Sequence, residues 1–187
     1  MKTSHRSIWT AGLAAVAVTG LAVTSSSVHA QPATAAPAAA GYGNPSSVTA
    51  NERIVRTFLA DVLNDHHGAH AARYLTPGMQ FHAGTLGTTT GRDNVTALLT
   101  SIVTAIPDLH AAQEDIFGQG DKVMVRVVVT GTQKGDLIGI PASNRAVSWN
   151  AIDVYRISNG KIAEEWAAED LTAILADTGT YKAPWIP

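Results

Sequence analysis

The last third of the chain concentrates residues that could carry acid/base chemistry. Five carboxylates stand there among apolar residues: Asp153, Glu164, Glu165, Glu169 and Asp170. A carboxylate buried in an apolar interior is costly unless it is paired or protonated. A strand that keeps such a residue usually lines a polar cavity or faces water, and this stretch predicts one of those two settings for its acids.

A β-hairpin is the element that must position these acids. Two runs rich in apolar and β-forming residues, 146–157 and 161–168, flank the turn Ser158-Asn159-Gly160. Asn-Gly tolerates the positive φ angles that a tight turn demands, so the pattern predicts a hairpin.

The length of that turn decides which acids share a face. A two-residue turn pairs Ser158 with Lys161 and sets Asp153 opposite Trp166. A three-residue turn, with its glycine in a left-handed conformation, sets Asp153 opposite Glu165. Because side chains alternate between the two faces of a strand, these registers turn opposite faces of the second strand toward the interior.

Helical patterns precede the strands. A capping box at residues 49–52 predicts a helix to about Asn64, residues 71–75 form a short second helix, and Asp93 begins a third that Pro107 ends. The other predicted elements are strands at 79–83, 109–117 and 122–133, a loop at 135–144 and a helix at 171–176. This order is typical of an α+β domain whose curved antiparallel sheet wraps around its N-terminal helices.

A histidine cluster follows the first helix. His66 and His70 are four residues apart, and His67 and His70 are three apart, so a helix could bring either pair to one metal ion. The intervening Gly68 suggests a break between helices, and the sequence has no HExxH pattern. We therefore expect solvated histidines here and predict no metal site.

Composition excludes several classes of function. The chain has 187 residues, of which 45% are hydrophobic and 15% charged, enough for one domain with a core. The absence of cysteine excludes disulfides, thiolate metal sites and a cysteine nucleophile. The formal charge is −2, and without Lys2 and Arg6 the 13 basic residues fall to 11 against 15 acidic ones. That balance predicts no nucleic-acid partner and no attraction to anionic membranes.

The first 30 residues have the layout of a secretory signal peptide. Lys2 and Arg6 precede an uncharged run at 8–23, and small residues lead up to Ala30. We predict cleavage after Ala30, a flexible Ala/Pro/Gly/Ser linker at 31–48, a folded domain at 49–180 and a tail at 181–187. The protein is then secreted, to the cell envelope or beyond, without stable membrane insertion; an uncleaved anchor is the alternative.

An ordered set of short motifs runs through the domain. In chain order they are Ile106-Pro107-Asp108-Leu109-His110, Glu114-Asp115, Gly120-Asp121-Lys122-Val123, Arg126, Thr130-Gly131-Thr132, Gly139-Ile140-Pro141, Asp153, Tyr155-Arg156-Ile157, Gly160-Lys161-Ile162 and Glu165-Trp166. The set resembles the SnoaL-like polyketide (ester) cyclases, collinearly over about residues 49–179. The resemblance implies a cone-shaped α+β barrel of the nuclear-transport-factor-two-like superfamily, a homodimer or higher homo-oligomer, and a cavity for a small hydrophobic molecule.

The resemblance also implies a reaction. Family cyclases close a ring by intramolecular aldol condensation without metal or cofactor, so no cofactor is expected. The family's proton-transfer aspartate falls on Ala167 here, and a histidine common on the preceding strand falls on Asp153. The resulting prediction is an exported cyclase-type protein that binds a small hydrophobic carbonyl compound and catalyses an aldol-type cyclisation or an isomerisation.

The candidate site residues follow from which positions line the cavity in the family that the sequence resembles. Because the family places the equivalents of Asp153 and Ala167 in the cavity together, the three-residue turn is favoured, with Asp153 and Glu165 inside. Two close carboxyls repel, so one is expected to be ionised and to accept a carbon-bound proton, and the other to be protonated and to steady an enolate oxygen. His82 is a candidate second proton carrier. The predicted substrate-binding residues are Phe81, Trp149, Tyr155 and Trp166.

Alternatives remain open for each of these residues. Asp153 could be a structural acid paired with Arg126 or Arg145, and Glu165 could be solvated near the cavity mouth. The domain could be a non-catalytic, secreted binding module on the same fold, and an epoxide hydrolase-like activity would need an Asp-Arg-Asp set. The other acids, Glu164, Glu169 and Asp170, are expected to face solvent or to cap the last helix.

Overall fold

The computed structural model describes residues 45–185, so the predicted signal peptide and most of the predicted linker lie outside the described residues. Helix α1 spans Pro45–Phe58 and continues as a π-helical segment, Leu59–Asn64. It begins before the predicted capping box, because proline suits the first turn of a helix. The Glu52 carboxylate accepts the Gly118 N–H at 2.9 Å.

The remaining elements follow the predicted order closely. The helices are α2 (Ala71–Tyr74), α3 (Arg92–Ala105) and α4 (Leu171–Thr178), with short 3-10 turns at Gly68–His70 and Gly84–Leu86. The strands are β1 (Leu75–His82), β2 (Thr88–Thr90), β3 (His110–Gln119), β4 (Lys122–Thr132), β5 (Ala146–Ser158) and β6 (Lys161–Glu169). None of the helices in residues 45–185 is long and apolar enough to span a membrane.

The six strands form one curved, open sheet in the order β2-β1-β6-β5-β4-β3. This confirms the predicted α+β cone. Neighbouring strands are antiparallel except β1 and β6, which run parallel. The parallel pair was not predicted. β1 and β6 are far apart in the sequence, and parallel strands are not joined by a short turn that a sequence pattern could indicate.

The concave side of the sheet holds the core. Val123, Val125, Val127 and Val129 of β4 are all buried, as their alternation predicts. Helix α1 packs on β3 and β4, α3 packs on β1, and α4 packs on β5. The helices and this face of the sheet therefore enclose the space into which the inward side chains of β5 and β6 project.

Candidate functional site

The β5–β6 turn contains two residues. Asn159 and Gly160 have φ angles of 50° and 72°, and Ser158 pairs with Lys161. The three-residue turn favoured from the sequence is therefore wrong. Asn-Gly adopts the left-handed conformation at both central positions, which is the geometry that best matches the twist of the flanking strands.

A β-bulge at Ala163 changes which side chains of β6 point inward. With the two-residue turn and no bulge, Glu164 and Trp166 would point inward instead of Glu165. Ile157 pairs with Ile162, but the next pair is Arg156 with Glu164, so Ala163 is an extra residue on β6. A bulge shifts the alternation of side chains by one position from that point onward.

The shift brings Glu165 into the interior. With unbroken alternation, Glu164 and Trp166 would follow Ile162 onto the inner face. Instead Glu165 is 6% exposed and Trp166 is 36% exposed. The sequence-based placement of Glu165 inside thus has a different structural cause from the one expected.

Three carboxyl groups gather on the inner face around Ala167. Asp153 pairs directly opposite Ala167 on the neighbouring strand. Glu165 and Glu169 lie two residues before and after Ala167 on β6, on the same face. Diagonal cross-strand neighbours are about 7–8 Å apart at Cα, within reach of side chains of this length.

Asp153 and Glu165 are buried acids with free oxygens. Within residues 45–185, Asp153 Oδ1 and Glu165 Oε2 have no hydrogen-bond partner. The Tyr155 hydroxyl approaches Asp153 Oδ2 only at 3.5 Å. No arginine in this range forms a salt bridge with Asp153, and Arg126 instead binds Asp115, with Nε 2.7 Å from Oδ2. The site thus contains buried carboxyl oxygens that no described side chain or backbone group binds.

Burial and mutual repulsion change how these acids titrate. Burial, with a contribution from the charge of Glu169, raises the pKa of Asp153 to about 8. Burial and the nearby Asp153 raise the pKa of Glu165 well above its ordinary range. Burial also raises the pKa of Glu169, although the hydrogen bond from Trp149 opposes that change. The cluster therefore retains protons at neutral pH, and its titration belongs to the group as a whole.

Glu169 is the site residue that sequence reasoning misplaced. It was expected to face solvent or to cap α4, but it accepts the Trp149 indole N–H at 2.5 Å and lines the cavity. The available signal was its period-two spacing from Glu165, which places both on one face of an extended strand. Asp170 does cap α4, since its carboxylate accepts the Ala173 N–H at 3.0 Å.

The cavity has an apolar mouth and an acidic inner end. The mouth encloses about 320 Å³ and is lined mainly by aliphatic side chains of α3, α4 and the loop before β5. The adjoining inner compartment encloses about 80 Å³. Phe81, Trp149 and Glu169 line both compartments, and Asp153, Tyr155 and Glu165 line the inner one. Three of the four aromatic residues predicted as substrate contacts therefore line this space.

His82 and Trp166 lie on the other face of the sheet. Their rings stack with centroids 5.7 Å apart and planes 17° from parallel. His82 Nε2 is 3.0 Å from Glu164 Oε1, and Glu164 also accepts from Arg156 Nε at 2.9 Å. His82 as a proton carrier and Trp166 as a substrate contact are therefore both wrong. Alternation along β1 points Phe81 inward and His82 outward, and the bulge at Ala163 turns Trp166 outward.

The histidines after α1 meet an acid that the sequence did not pair with them. Asp61 Oδ1 lies 2.8 Å from His67 Nδ1 and 2.9 Å from His70 Nδ1, and Oδ2 accepts the Tyr74 hydroxyl at 2.8 Å. These hydrogen bonds, that of His70 first, hold the pKa of Asp61 far below its ordinary range. Asp61, His67 and His70 could each offer one ligand atom to a metal ion, but none of them lines the cavity.

An open curved sheet wrapped around helices, with an apolar cavity between them, is the cone of nuclear-transport-factor-two-like proteins. Within that class, the model of the SnoaL-like polyketide cyclase family matches residues 53–178. The chain belongs to this family. Among curated proteins, none matches the chain in sequence.

Solved structures share the fold at low sequence identity. A protein from Jannaschia sp. CCS1 assigned to the SnoaL-like polyketide cyclases is 21% identical, with a TM-score of 0.65 over 75% of this chain and 99% of the other. TsrD from Streptomyces laurentii is 26% identical, with a TM-score of 0.63 over 71% and 97%. IdmH from Streptomyces antibioticus, assigned as a polyketide cyclase, is 23% identical, with a TM-score of 0.58 over 69% and 98%.

Proposed function

We propose that the protein binds a small hydrophobic carbonyl compound and performs cofactor-free acid/base chemistry on it, an aldol-type cyclisation or an isomerisation. One observation carries the proposal. Asp153, Glu165 and Glu169 surround Ala167, the position at which the family resemblance expects an aspartate. The proton-transfer group missing at that position can be supplied by its neighbours on the same face.

Glu169 is the best-placed general base. It lies where the mouth and the inner compartment adjoin, so a substrate in the mouth can reach it. The Trp149 N–H stabilises its ionised form, because a hydrogen bond to a carboxylate favours the charge. An ionised Glu169 can accept a proton from the carbon next to a carbonyl, which leaves an enolate on the substrate.

Asp153 and Glu165 are suited to the complementary role. Burial keeps them protonated at neutral pH, and a neutral carboxyl group can donate a hydrogen bond to an enolate oxygen. The enolate can then attack a second carbonyl to close a ring, or regain its proton at another carbon. Either outcome conserves protons within the cluster and requires no redox partner.

Exchange of carbon-bound hydrogen is the direct test. The purified protein should accelerate deuterium incorporation next to the carbonyls of hydrophobic β-dicarbonyl compounds, followed by NMR in D₂O. Glu169→Gln should reduce this acceleration about 100-fold or more, within the range for loss of a general base. Glu164→Gln is the matched control on the outer face and should retain it. Acceleration that is equal in both variants would remove Glu169 from the mechanism.

The alternative function is non-catalytic binding of the same class of molecule. Ala167 favours it, since the position itself carries no ionisable group. The same experiment separates the two proposals: binding without any proton exchange across the substrate panel would support the binding module. An epoxide hydrolase-like activity has less support, because no arginine lines the cavity in the described part of the chain.

Export and self-association complete the proposal. Export is supported by the layout of residues 1–30 in the sequence, and N-terminal sequencing of the secreted protein should begin at Gln31. A homodimer is supported by the family resemblance and by apolar side chains left exposed on the outer sheet face, including Phe117 and Ile152. Ile152→Glu should shift the mass measured by light scattering from dimer to monomer.

A further inference from the structure

The inner end of the cavity is lined by three carboxyl groups, and within residues 45–185 the neighbouring protein donors are the Trp149 N–H and the Tyr155 hydroxyl. Among the described residues, Asp153 Oδ1 and Glu165 Oε2 are buried without partners, and one oxygen of Glu169 accepts the Trp149 N–H. Buried polar atoms in folded proteins are nearly always hydrogen-bonded, and each exception needs an explanation. The acids share protons when no ligand is bound, and a ligand with donors of its own can satisfy the oxygens that those protons leave without partners.

No positively charged side chain of the described residues lies beside these acids. Among the described residues, the lining of both compartments contains no lysine, arginine or histidine. The titratable groups facing the inner compartment are Asp153 and Tyr155 from β5 and Glu165 and Glu169 from β6. The elements packed around them, the first helical segment, α3, β1 and β4, contribute only apolar side chains.

We propose that the ligand carries a protonated nitrogen on an apolar body, with the ammonium group held between Asp153, Glu165 and Glu169. This inference rests on the proposed function for its ligand site and adds the charge of the substrate to it. An ammonium group brings up to three donors and the missing positive charge. A ketone or alcohol of the same shape brings at most one donor and no charge.

The dimensions of the two compartments suit such a ligand. An ammonium nitrogen with its hydrogens is close to a water molecule in size, about 30 Å³, so it fits within the inner compartment of about 80 Å³. The apolar body would occupy the mouth of about 320 Å³, whose walls are aliphatic and aromatic. An amphiphilic amine thus matches the cavity, with its ammonium group in the acidic inner compartment and its apolar body in the mouth.

Binding of a cation should also change the protonation of the cluster. Three close carboxyls cannot all ionise without a counter-charge, so protons are retained in the empty cavity. An ammonium group supplies that counter-charge and should displace at least part of a proton into solvent. It would also help to keep Glu169 ionised, which is the state that the proposed base requires.

The test compares ligands of matched shape by titration calorimetry at pH 7. The probes are 2-phenylethylamine, 2-phenylethanol and 4-phenylbutan-2-one, in two buffers without primary amines that differ in ionisation enthalpy. We expect the amine to bind at least about tenfold tighter than the alcohol and to release protons, because its hydrogen bonds to the acids are charge-assisted. Asp153→Asn and Glu165→Gln should remove that preference, and Glu164→Gln should keep it; circular dichroism verifies that each variant is folded.

The outcomes separate this inference from the proposed function. If the ketone binds as tightly as the amine, or the amine binds without proton release or equally well in Asp153→Asn, the inference is wrong while the carbonyl chemistry can still stand. If the amine is preferred but no carbonyl compound exchanges its hydrogens, the ligand charge is right and the proposed reaction is wrong. If none of the probes binds, the inference is also overturned.

Discussion

Asp153 and Ala167 face each other directly across β5 and β6, and the acids of the cavity are arranged around that pair. The pairing exists because one extra residue, Ala163, interrupts β6 before it. Without the interruption, Asp153 would lie opposite Trp166. The position of a single alanine therefore decides whether the inner face of β6 carries Glu165 and Glu169 or a tryptophan.

Deletion of Ala163 should leave the acids of β6 on the inner face. Glu164 would then follow Ile162 directly, so the pairs Arg156–Glu164 and Asp153–Ala167 form without an extra residue, and Glu165 stays inward. We expect the deletion to change the free energy of unfolding by no more than about 2 kcal/mol, measured by chemical denaturation. Ala163→Gly keeps the extra residue and should cost about 1 kcal/mol or less. A deletion variant that fails to fold would show that the extra residue is needed for more than the pairing of β5 with β6.

Trp149→Phe should shift the pH dependence of proton exchange upward. The indole N–H lowers the pKa of Glu169, so its loss raises that pKa, and a base that must be ionised then works only at higher pH. The acidic limb of the exchange rate should move by about one pH unit, the effect of a hydrogen bond to a charged group. Trp166→Phe, on the outer face, is the control and should leave the limb in place. An unchanged limb in Trp149→Phe would contradict a role for this hydrogen bond.

Asp153 should make the protein less stable as the pH rises. Its pKa is about 8 in the folded chain against 3.8 ordinarily, so the folded state holds a proton that the unfolded state releases. Its contribution to stability is fully present below 3.8 and is lost as the pH rises toward about 8. Asp61 has the opposite effect on stability, in a lower pH range. Its pKa is lowered in the folded chain, so its contribution to stability is lost only as the pH falls below the ordinary value of 3.8.

Thermal unfolding followed across that pH range measures the effect. The midpoint should fall with pH in the natural protein and fall less in Asp153→Asn, whose amide cannot titrate. Asp93→Asn, at an exposed position of α3, should follow the natural profile. A parallel decline in all three proteins would exclude Asp153 as its source.

Gln133 should control the order of the loop at the cavity mouth. The two N–H donors of its fully buried amide are shared among Gly135 O, Ile140 O and Pro141 O, at 3.1, 2.9 and 3.1 Å from Nε2, and its oxygen accepts the Ser143 N–H at 3.1 Å. This loop carries Leu137 and Ile138 into the lining of the mouth. Residues 135–143 otherwise form little regular structure.

Gln133→Leu should therefore loosen the loop and weaken ligand binding. It removes the side-chain donor near the carbonyls of Gly135 and Pro141 and the acceptor of the Ser143 N–H, which costs about 1–3 kcal/mol for each group left unsatisfied. Hydrogen exchange of residues 135–143 should accelerate, and ligand affinity should fall. Lys134→Ala, at the exposed neighbouring position, should change neither quantity. Unaltered exchange in Gln133→Leu would indicate that the loop is ordered by its other contacts.

Most helices and strands can be predicted from the sequence, because each is indicated by residues that are close together in the chain. The alternating valines of β4, the helical spacing of α3 and the Asn-Gly turn each reflect the conformational preference of a few adjacent residues. The family resemblance adds the fold, which the matched family model confirms. By contrast, His82 and Trp166 were misplaced because a side chain's facing depends on where a strand begins and whether it is interrupted.

The sequence by itself determined the α+β class, the long strands β3 to β6 and the presence of a hairpin between β5 and β6, although not the length of its turn. Only the tertiary structure decided that Glu169 joins Asp153 and Glu165 in one cavity, that Glu169 binds Trp149, and that His82 lies outside. The physical reason is that a one-residue bulge and a parallel pair between β1 and β6 are selected by packing between distant segments. Such packing sets the register of whole strands, and no local preference of Ala163 or its neighbours encodes it.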